Sequence, residues 1–311
     1  NRHAPLQPPP AVNKITMHNA IIYFFLFFCK NKDVMGGLTI GKRRVILIVC
    51  VLIFLAAAPA VLLYSNGYRL GANWTLKKTG GLYVASPVSG AQIFVNDNLE
   101  RETNIIQNGL FLSGLRPGAY SVLIAKEGYW PWSKKMEVKS QMVAEARALL
   151  LPKEPEGEII KRENSTPLQK TEYDDIYALI KETKKLNSTA TSTVERLASQ
   201  ERQKLWWNPK KNEIWISWSG EESARPYYLE KNENYVFKSP TRIKNADFYP
   251  GRKDVIIVSY QNGIYAIEID KRGGQAKQPI YKGKDPVFIT YKNSSSIYIL
   301  DEDALIRIKL P

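Results

Sequence analysis

Residues 45–64, VILIVCVLIFLAAAPAVLLY, are twenty consecutive residues without a charge. As a helix rising 1.5 Å per residue they extend about 30 Å, the thickness of a bilayer's hydrocarbon core. Lys42, Arg43 and Arg44 stand directly before them. A basic flank of this kind stays on the cytoplasmic side and sends the following chain across. The segment also reads as a secretory signal, with a basic start, an apolar stretch Val45–Leu55 and a small-residue site Ala56-Ala57-Ala58-Pro59-Ala60. Val61-Leu62-Leu63-Tyr64 carries the apolar run to full membrane length, which favours a retained single-pass anchor. Either way, residues 65 onward are expected outside the cytoplasm.

The net charge of +14 is unevenly placed. Residues 1–44 carry seven basic residues and one acidic residue; the remaining 37 basic and 29 acidic residues are spread thinly beyond the apolar run. With no dense Lys/Arg block there, a nucleic-acid groove is not expected. Mild attraction to anionic envelope polymers is. The two cysteines are Cys29 and Cys50 and the two histidines His3 and His18, so residues 65–311 contain neither residue type. Their stability has to come from core burial rather than a disulfide framework. Met35 followed by GGLTIGKRR reads as a bacterial start. Residues 1–34 are accordingly expected to be upstream sequence or a disordered extension, and their apolar run Ala20–Cys29 is too short to span a bilayer.

Between Gly80 and Pro152 short apolar runs alternate with turn residues. Leu82–Ala85, Ala91–Val95, Leu110–Leu112, Ala119–Lys126, Ser133–Lys139 and Met142–Leu151 read as strands, punctuated by Pro87, Gly90, Asn96-Asp97-Asn98, Pro117-Gly118 and Gly128. About seven strands in some 70 residues predict a small β-sandwich. Gly81-Leu82-Tyr83-Val84-Ala85-Ser86-Pro87, Gly90 to Asn96, Gly114 to Tyr120 and Lys126-Glu127-Gly128-Tyr129-Trp130-Pro131-Trp132 resemble the PEGA domain, over roughly residues 66–152. Asn66-Gly67-Tyr68-Arg69-Leu70 resembles its membrane-anchored bacterial members. The naming tetrapeptide is replaced by the longer Pro87-Val88-Ser89-Gly90-Ala91, and Thr103-Asn104 stands where Thr-Pro is common. The resemblance implies a sandwich of surface and envelope proteins, usually without catalytic activity. Trp130 and Trp132 flank a proline and are expected on one side of an extended segment, capping the core or forming a ligand platform.

Residues 153–202 read as a linker with a short helix, since Tyr173, Ile176, Tyr177 and Ile180 follow helical spacing over Thr171–Leu186. Val194–Gln203 is expected to add a helical turn or two. A repeat then appears. Pro209, Pro250 and Tyr291 lie 41 residues apart, each closing an aromatic-rich corner before a strand: EIWISW, DVIIVSY and SIYIL. Gly263–Ile267 and Ala304–Ile308 recur at the same offset. Residues 203–311 resemble β-propeller blades. Three repeats fall short of the four to eight blades, roughly, of a closed ring. The expectation is therefore a mainly β chain: a cytoplasmic segment 1–44, a transmembrane helix 45–64, a PEGA-like sandwich 66–152, a linker 153–202 and propeller-like antiparallel sheets 203–311.

Catalytic signals are sparse. Nucleophilic triads and catalytic zinc need imidazole or thiolate, which residues 65–311 lack. Gly36-Gly37-Leu38-Thr39-Ile40-Gly41-Lys42 has phosphate-loop spacing, but Arg43 takes the Ser/Thr position. Asn73, Asn164, Asn187 and Asn293 begin glycosylation-type triplets, relevant only in a host that glycosylates secreted chains. Carboxylate chemistry needs only two acids, and Asp174-Asp175, Glu221-Glu222 and Asp301-Glu302-Asp303 are available. Solvated charge is their ordinary reading, and no cofactor or metal is expected. Trp206, Trp207, Trp215 and Trp218, with Trp130 and Trp132, are the candidate binding residues, since indole faces stack on sugars or anchor partners. The expected function is a non-catalytic, membrane-anchored binding or scaffold protein of the cell envelope, with cell-wall polysaccharide or envelope proteins as partners. The alternative is an envelope polysaccharide-acting enzyme working through paired carboxylates.

Overall fold

The computed structural model describes residues 39–70, 74–162, 172–197, 202–291 and 294–311. The readings made on residues 1–34, including His3, His18 and Cys29, on the start of the phosphate-loop-like run and on Asn73, Asn164 and Asn293 fall outside them. The chain divides into two compact units, residues 1–66 and 67–311.

In the first unit, helix α1 (Ile40–Ser65) contains the whole apolar run, and none of its residues is buried. It is long and apolar enough to cross a membrane. Pro59 sits inside it. Its end is closed locally: the Asn66 backbone amide, Asn66 Nδ2 and Ser65 Oγ all donate to the Leu62 carbonyl, which a polar C-terminal turn requires.

The second unit is mainly β. A hairpin of β1 (Tyr68–Leu70) and β2 (Leu76–Lys78) precedes seven sandwich strands. These are β3 (Gly80–Ala85), β4 (Gln92–Val95), β5 (Asn98–Glu102), β6 (Gly109–Leu115), β7 (Gly118–Ala125), β8 (Trp132–Val138) and β9 (Val143–Arg147). They form a three-stranded sheet β6-β3-β9 and a four-stranded sheet β5-β4-β7-β8. Asn96 and Asp97, both at positive φ, make the tight turn between β4 and β5. Leu82, Val84, Ile93, Val122, Ile124 and Met136 fill the space between the sheets.

The remaining elements are β10 (Gly157–Arg162), α2 (Glu172–Thr189), β11 (Val194–Leu197), β12 (Gln203–Asn208), β13 (Glu213–Trp218), β14 (Glu233–Lys238), β15 (Ile243–Phe248), β16 (Val255–Tyr260), β17 (Gly263–Glu268), β18 (Lys277–Lys282), β19 (Val287–Thr290), β20 (Ser296–Asp301) and β21 (Ala304–Lys309). They build three four-stranded antiparallel sheets, β11-β12-β13-β14, β15-β16-β17-β18 and β10-β21-β20-β19. Among the described residues no sheet closes into a barrel. The 41-residue period marks the meanders begun by β12, β15 and β19. A different strand completes each meander: β11 beside β12, β18 beside β17, and β10, from the far end of the unit, beside β21. Two expectations are corrected here. Val194–Leu197 is a strand, not helix, because it pairs with Lys204–Trp207. The stretch read as linker supplies two sheet edges.

The sheets share cores. Leu205, Trp207, Ile214 and Ile216 of the first meet Ile256, Val258 and Ile267 of the second. The second sheet's other side, with Val255, Ile257, Ile264 and Ala266, joins Phe288, Ile297 and Ile299 of the third and the sandwich interior in one cluster. All six residues of β16 are buried, as expected of a strand covered on both faces. The third sheet's outer side is covered by α2 through Ile176 and Ile180.

The sandwich is fastened to the second sheet by buried charge. In β8 every second residue from Trp132 to Val138 is buried, and the second of these is Lys134. Its Nζ lies 3.0 Å from Glu268 Oε2 and 3.2 Å from Asp270 Oδ2, and donates to the Asp270 carbonyl at 3.0 Å. Trp132 Nε1 donates to Glu268 Oε1 at 2.5 Å. Arg272 donates two bonds to Asp270 through Nε and Nη2. Beside this cluster the Lys135 amide donates to the Gly273 carbonyl at 2.9 Å. A Cβ on Gly273 would stand 1.7 Å from the Lys135 carbonyl oxygen, so only glycine fits that approach. Arg252 adds a second tie: it pairs with Asp254 and donates to the carbonyls of Arg147 and Ala148.

Burial pushes the Glu268 carboxyl upward against the pull of Lys134. Burial also works against the ionised Asp270, but Arg272 and Lys134 outweigh it and hold that carboxyl below the ordinary range. The folded protein therefore protonates Asp270 at lower pH than the unfolded chain does. Its stabilisation is complete above the unfolded value and is lost as pH falls through the folded one. Asp270→Asn is expected to flatten the acid limb of stability against pH, measured by denaturant titration across the acid range. Lys134→Ala, which strands Glu268 without a cation, is expected to cost about 3–5 kcal/mol in the same measurement.

Candidate functional site

The first sheet buries one face against the second and leaves the other outward. On that outer face the register sets Glu195, Trp206, Trp215 and Tyr235 side by side across β11, β12, β13 and β14. Trp206 and Trp215 are stacked, with centroids 5.6 Å apart and planes 8° from parallel. Tyr235 meets Trp215 edge-on at 5.5 Å, and Lys271 Nζ sits 3.9 Å over the Tyr235 ring. Trp206 Nε1 donates to Ser217 Oγ at 2.8 Å. Trp215 thus meets one neighbour face to face and the other edge-on. The three rings remain partly exposed on this face.

The other tryptophans lie elsewhere. Trp207 is 1% exposed in the core between the first two sheets, and Trp132 is 1% exposed with its indole N–H held by Glu268. Trp218 is half-buried and donates to the Glu221 carbonyl. Trp130 is at the surface, with Lys153 Nζ 5.9 Å from its ring. Trp130 and Trp132 do not share an environment, because the segment joins β8 only at Trp132.

The acidic clusters are occupied by local structure. Asp301 accepts from Tyr281 Oη and from the amides of Lys284 and Asp285, which locks the turn between β18 and β19. Glu302 pairs with Lys284, and Glu222 with Arg225. Among the described residues no group of three or more His, Cys, Asp or Glu side chains is placed to hold a metal. Glu268 and Asp270 do converge, but they are buried around Lys134.

A cleft that sequence reasoning missed opens above that buried pair. One wall is the outward face of the four-stranded sandwich sheet, with Phe94, Ser121, Leu123, Ser133 and Lys135. The opposite wall is the Gly273–Ala276 turn with Lys277. The volume is about 640 Å³, within the range of ligand clefts. Its lining is mixed: two serines, two exposed lysines, one apolar patch at Leu123 and Phe94, and a single acid, Asp97. The Lys277 side chain lies on the sheet face of its register partner Ile267 and donates to the Tyr260 hydroxyl at 3.2 Å, so Lys135 is the exposed cleft lysine on the sandwich wall. The walls come from chain segments some 150 residues apart, so no local motif could have announced the cleft.

Residues 79–152 match the PEGA domain. This corresponds to the seven-stranded sandwich and includes the Trp132–Lys134 segment that fastens it to the sheets. Such domains usually stand outside the cytoplasm, in keeping with an apolar helix ahead of them that is either an anchor or a signal. The match suggests an envelope-associated binding module. The resemblance of residues 203–311 to propeller blades finds no support in these comparisons. No curated protein matches the chain.

Trp215→Ala removes a stacked pair and an edge-on pair at once. The expected result is a loss of about 1–3 kcal/mol of stability, taking roughly 0.5–1.5 kcal/mol for each aromatic pair. The same titration as above measures it.

Proposed function

We propose that the chain is a non-catalytic, membrane-anchored binding or scaffold protein of the cell envelope, with its cytoplasmic end at Lys42–Arg44 and its β unit outside. The anchor reading draws on α1 running unbroken through Ala56–Ala60 to Ser65, and the orientation on the basic flank. The binding reading is carried by the makeup of the cleft. It presents hydroxyls, lysines and an apolar patch but only one carboxylate, whereas two-acid glycoside chemistry needs a pair flanking the scissile bond. An extended, hydroxyl-rich, acidic ligand such as a wall polysaccharide fits that lining. Lys135 meets its charge, Ser121 and Ser133 its hydroxyls, and Leu123 a sugar's apolar face.

Leu123 and Lys135 are exposed, so both can be changed without opening a core. Leu123→Trp fills the cleft and Lys135→Glu reverses its charge. Retention of the full chain on immobilised anionic wall polymer is expected to fall at least about tenfold for each, a loss of about 1.4 kcal/mol. Wild-type retention by both variants refutes the cleft as the binding site. Release of reducing ends from the polymer by the wild-type chain refutes the non-catalytic reading.

A further inference from the structure

The β1–β2 hairpin carries an apolar surface that the unit leaves uncovered. Trp74, beside its turn, is 86% exposed, Leu70 65% and Leu76 51%. Leu70 and Leu76 are register partners, so their side chains lie together on one face, with Tyr68 and Lys78 as the next pair along it. The opposite face pairs Arg69 with Lys77. The hairpin is thus apolar toward its turn and basic on its back and at its base.

It is not a loose appendage. Thr79, 5% exposed, donates through both its amide and its hydroxyl to the Gly67 carbonyl, at 2.8 and 2.7 Å. The Gln141 amide donates to the Thr79 carbonyl at 2.8 Å. Gly67, at φ 80, makes the bend that lets this happen. The hairpin base is therefore fixed to the sandwich.

Only Asn66 and Gly67 separate the last residue of α1 from the first of β1. Extended chain covers at most about 3.6 Å per residue, so β1 begins within about 11 Å of the helix end. That distance is comparable to one headgroup layer. Tryptophan and tyrosine with leucine on one side and Lys/Arg on the other is the residue set of the membrane–water interface.

We infer that the β1–β2 hairpin is an interfacial anchor: Trp74, Leu70 and Leu76 enter the headgroup zone of the outer leaflet, and the exposed Lys77 and Lys78 face anionic lipid headgroups. The inference rests on α1 being a retained span. It assigns a lipid surface as the partner of this face, and it makes membrane contact set the tilt of the sandwich through Thr79.

The test uses the full chain in vesicles of phosphatidylcholine and phosphatidylglycerol whose acyl chains are brominated close to the glycerol. Bromine quenches only indoles that reach the interface. The expected result is a loss close to one tryptophan's share of the emission from the seven. That loss disappears in Trp74→Phe and shrinks in Leu76→Asp, where Trp74 is retained. Equal quenching of wild type and Trp74→Phe, in a chain that floats with the vesicles, overturns the hairpin anchor and leaves the span standing. A chain that does not float overturns both.

Discussion

The docking of the sandwich on the second sheet is directed above all by a buried lysine, with Arg252 as a second tie. Lys134 occupies a position where strand alternation calls for an apolar side chain, and it is accepted there because Glu268 and Asp270 converge on it. Such a cluster is a poor source of net stability, since desolvating the charges offsets most of their attraction. Its effect is on geometry. Any other docking angle leaves Glu268 buried without its lysine and its indole N–H, so the wrong arrangements are the ones penalised. The Gly273 approach to Lys135 narrows the choice again. The sandwich interior and two sheets then become one cluster, and the cleft is the space left beside that junction.

Much of the fold could be read from local pattern. The apolar run was visible from length alone, and the sandwich strands from alternation between Pro, Gly and Asn-Asp turns. The 41-residue period located the meanders, and Ile176 with Ile180 located the face of α2. What escaped was whatever depends on a distant partner. The β5 sequence, Asn-Leu-Glu-Arg-Glu, lacks an apolar stripe because it is an edge strand with little to bury. The strands β10 and β11 read as linker and helix because their Lys and Glu content gives no period, and pairing overrides propensity.

The candidate site was less legible. Tryptophan marks both cores and binding faces, and residue type cannot separate the two. Trp207 and Trp132 went to cores, while Trp206 and Trp215 stacked together. The cleft is assembled from Leu123 and Lys135 on one side and the Gly273–Lys277 segment on the other, none of them unusual in sequence. Lys134 looked like any surface lysine until its acidic partner arrived from another sheet.

The pairing of β10 with β21 joins residues about 150 positions apart, Gly157 opposite Ile308. A chain made from its amino end delivers β10 about 150 residues before β21. Until residue 309 has emerged, the third sheet lacks its inner partner for β10, and the apolar side of α2 has no complete surface to cover. Such non-local closure is slow and leaves unpaired edges open to other chains. The sandwich strands are all made by residue 147, but the third sheet cannot finish before β21 is made. A chain cut ahead of β21 would be marked by an open flank, readable by any chaperone or protease.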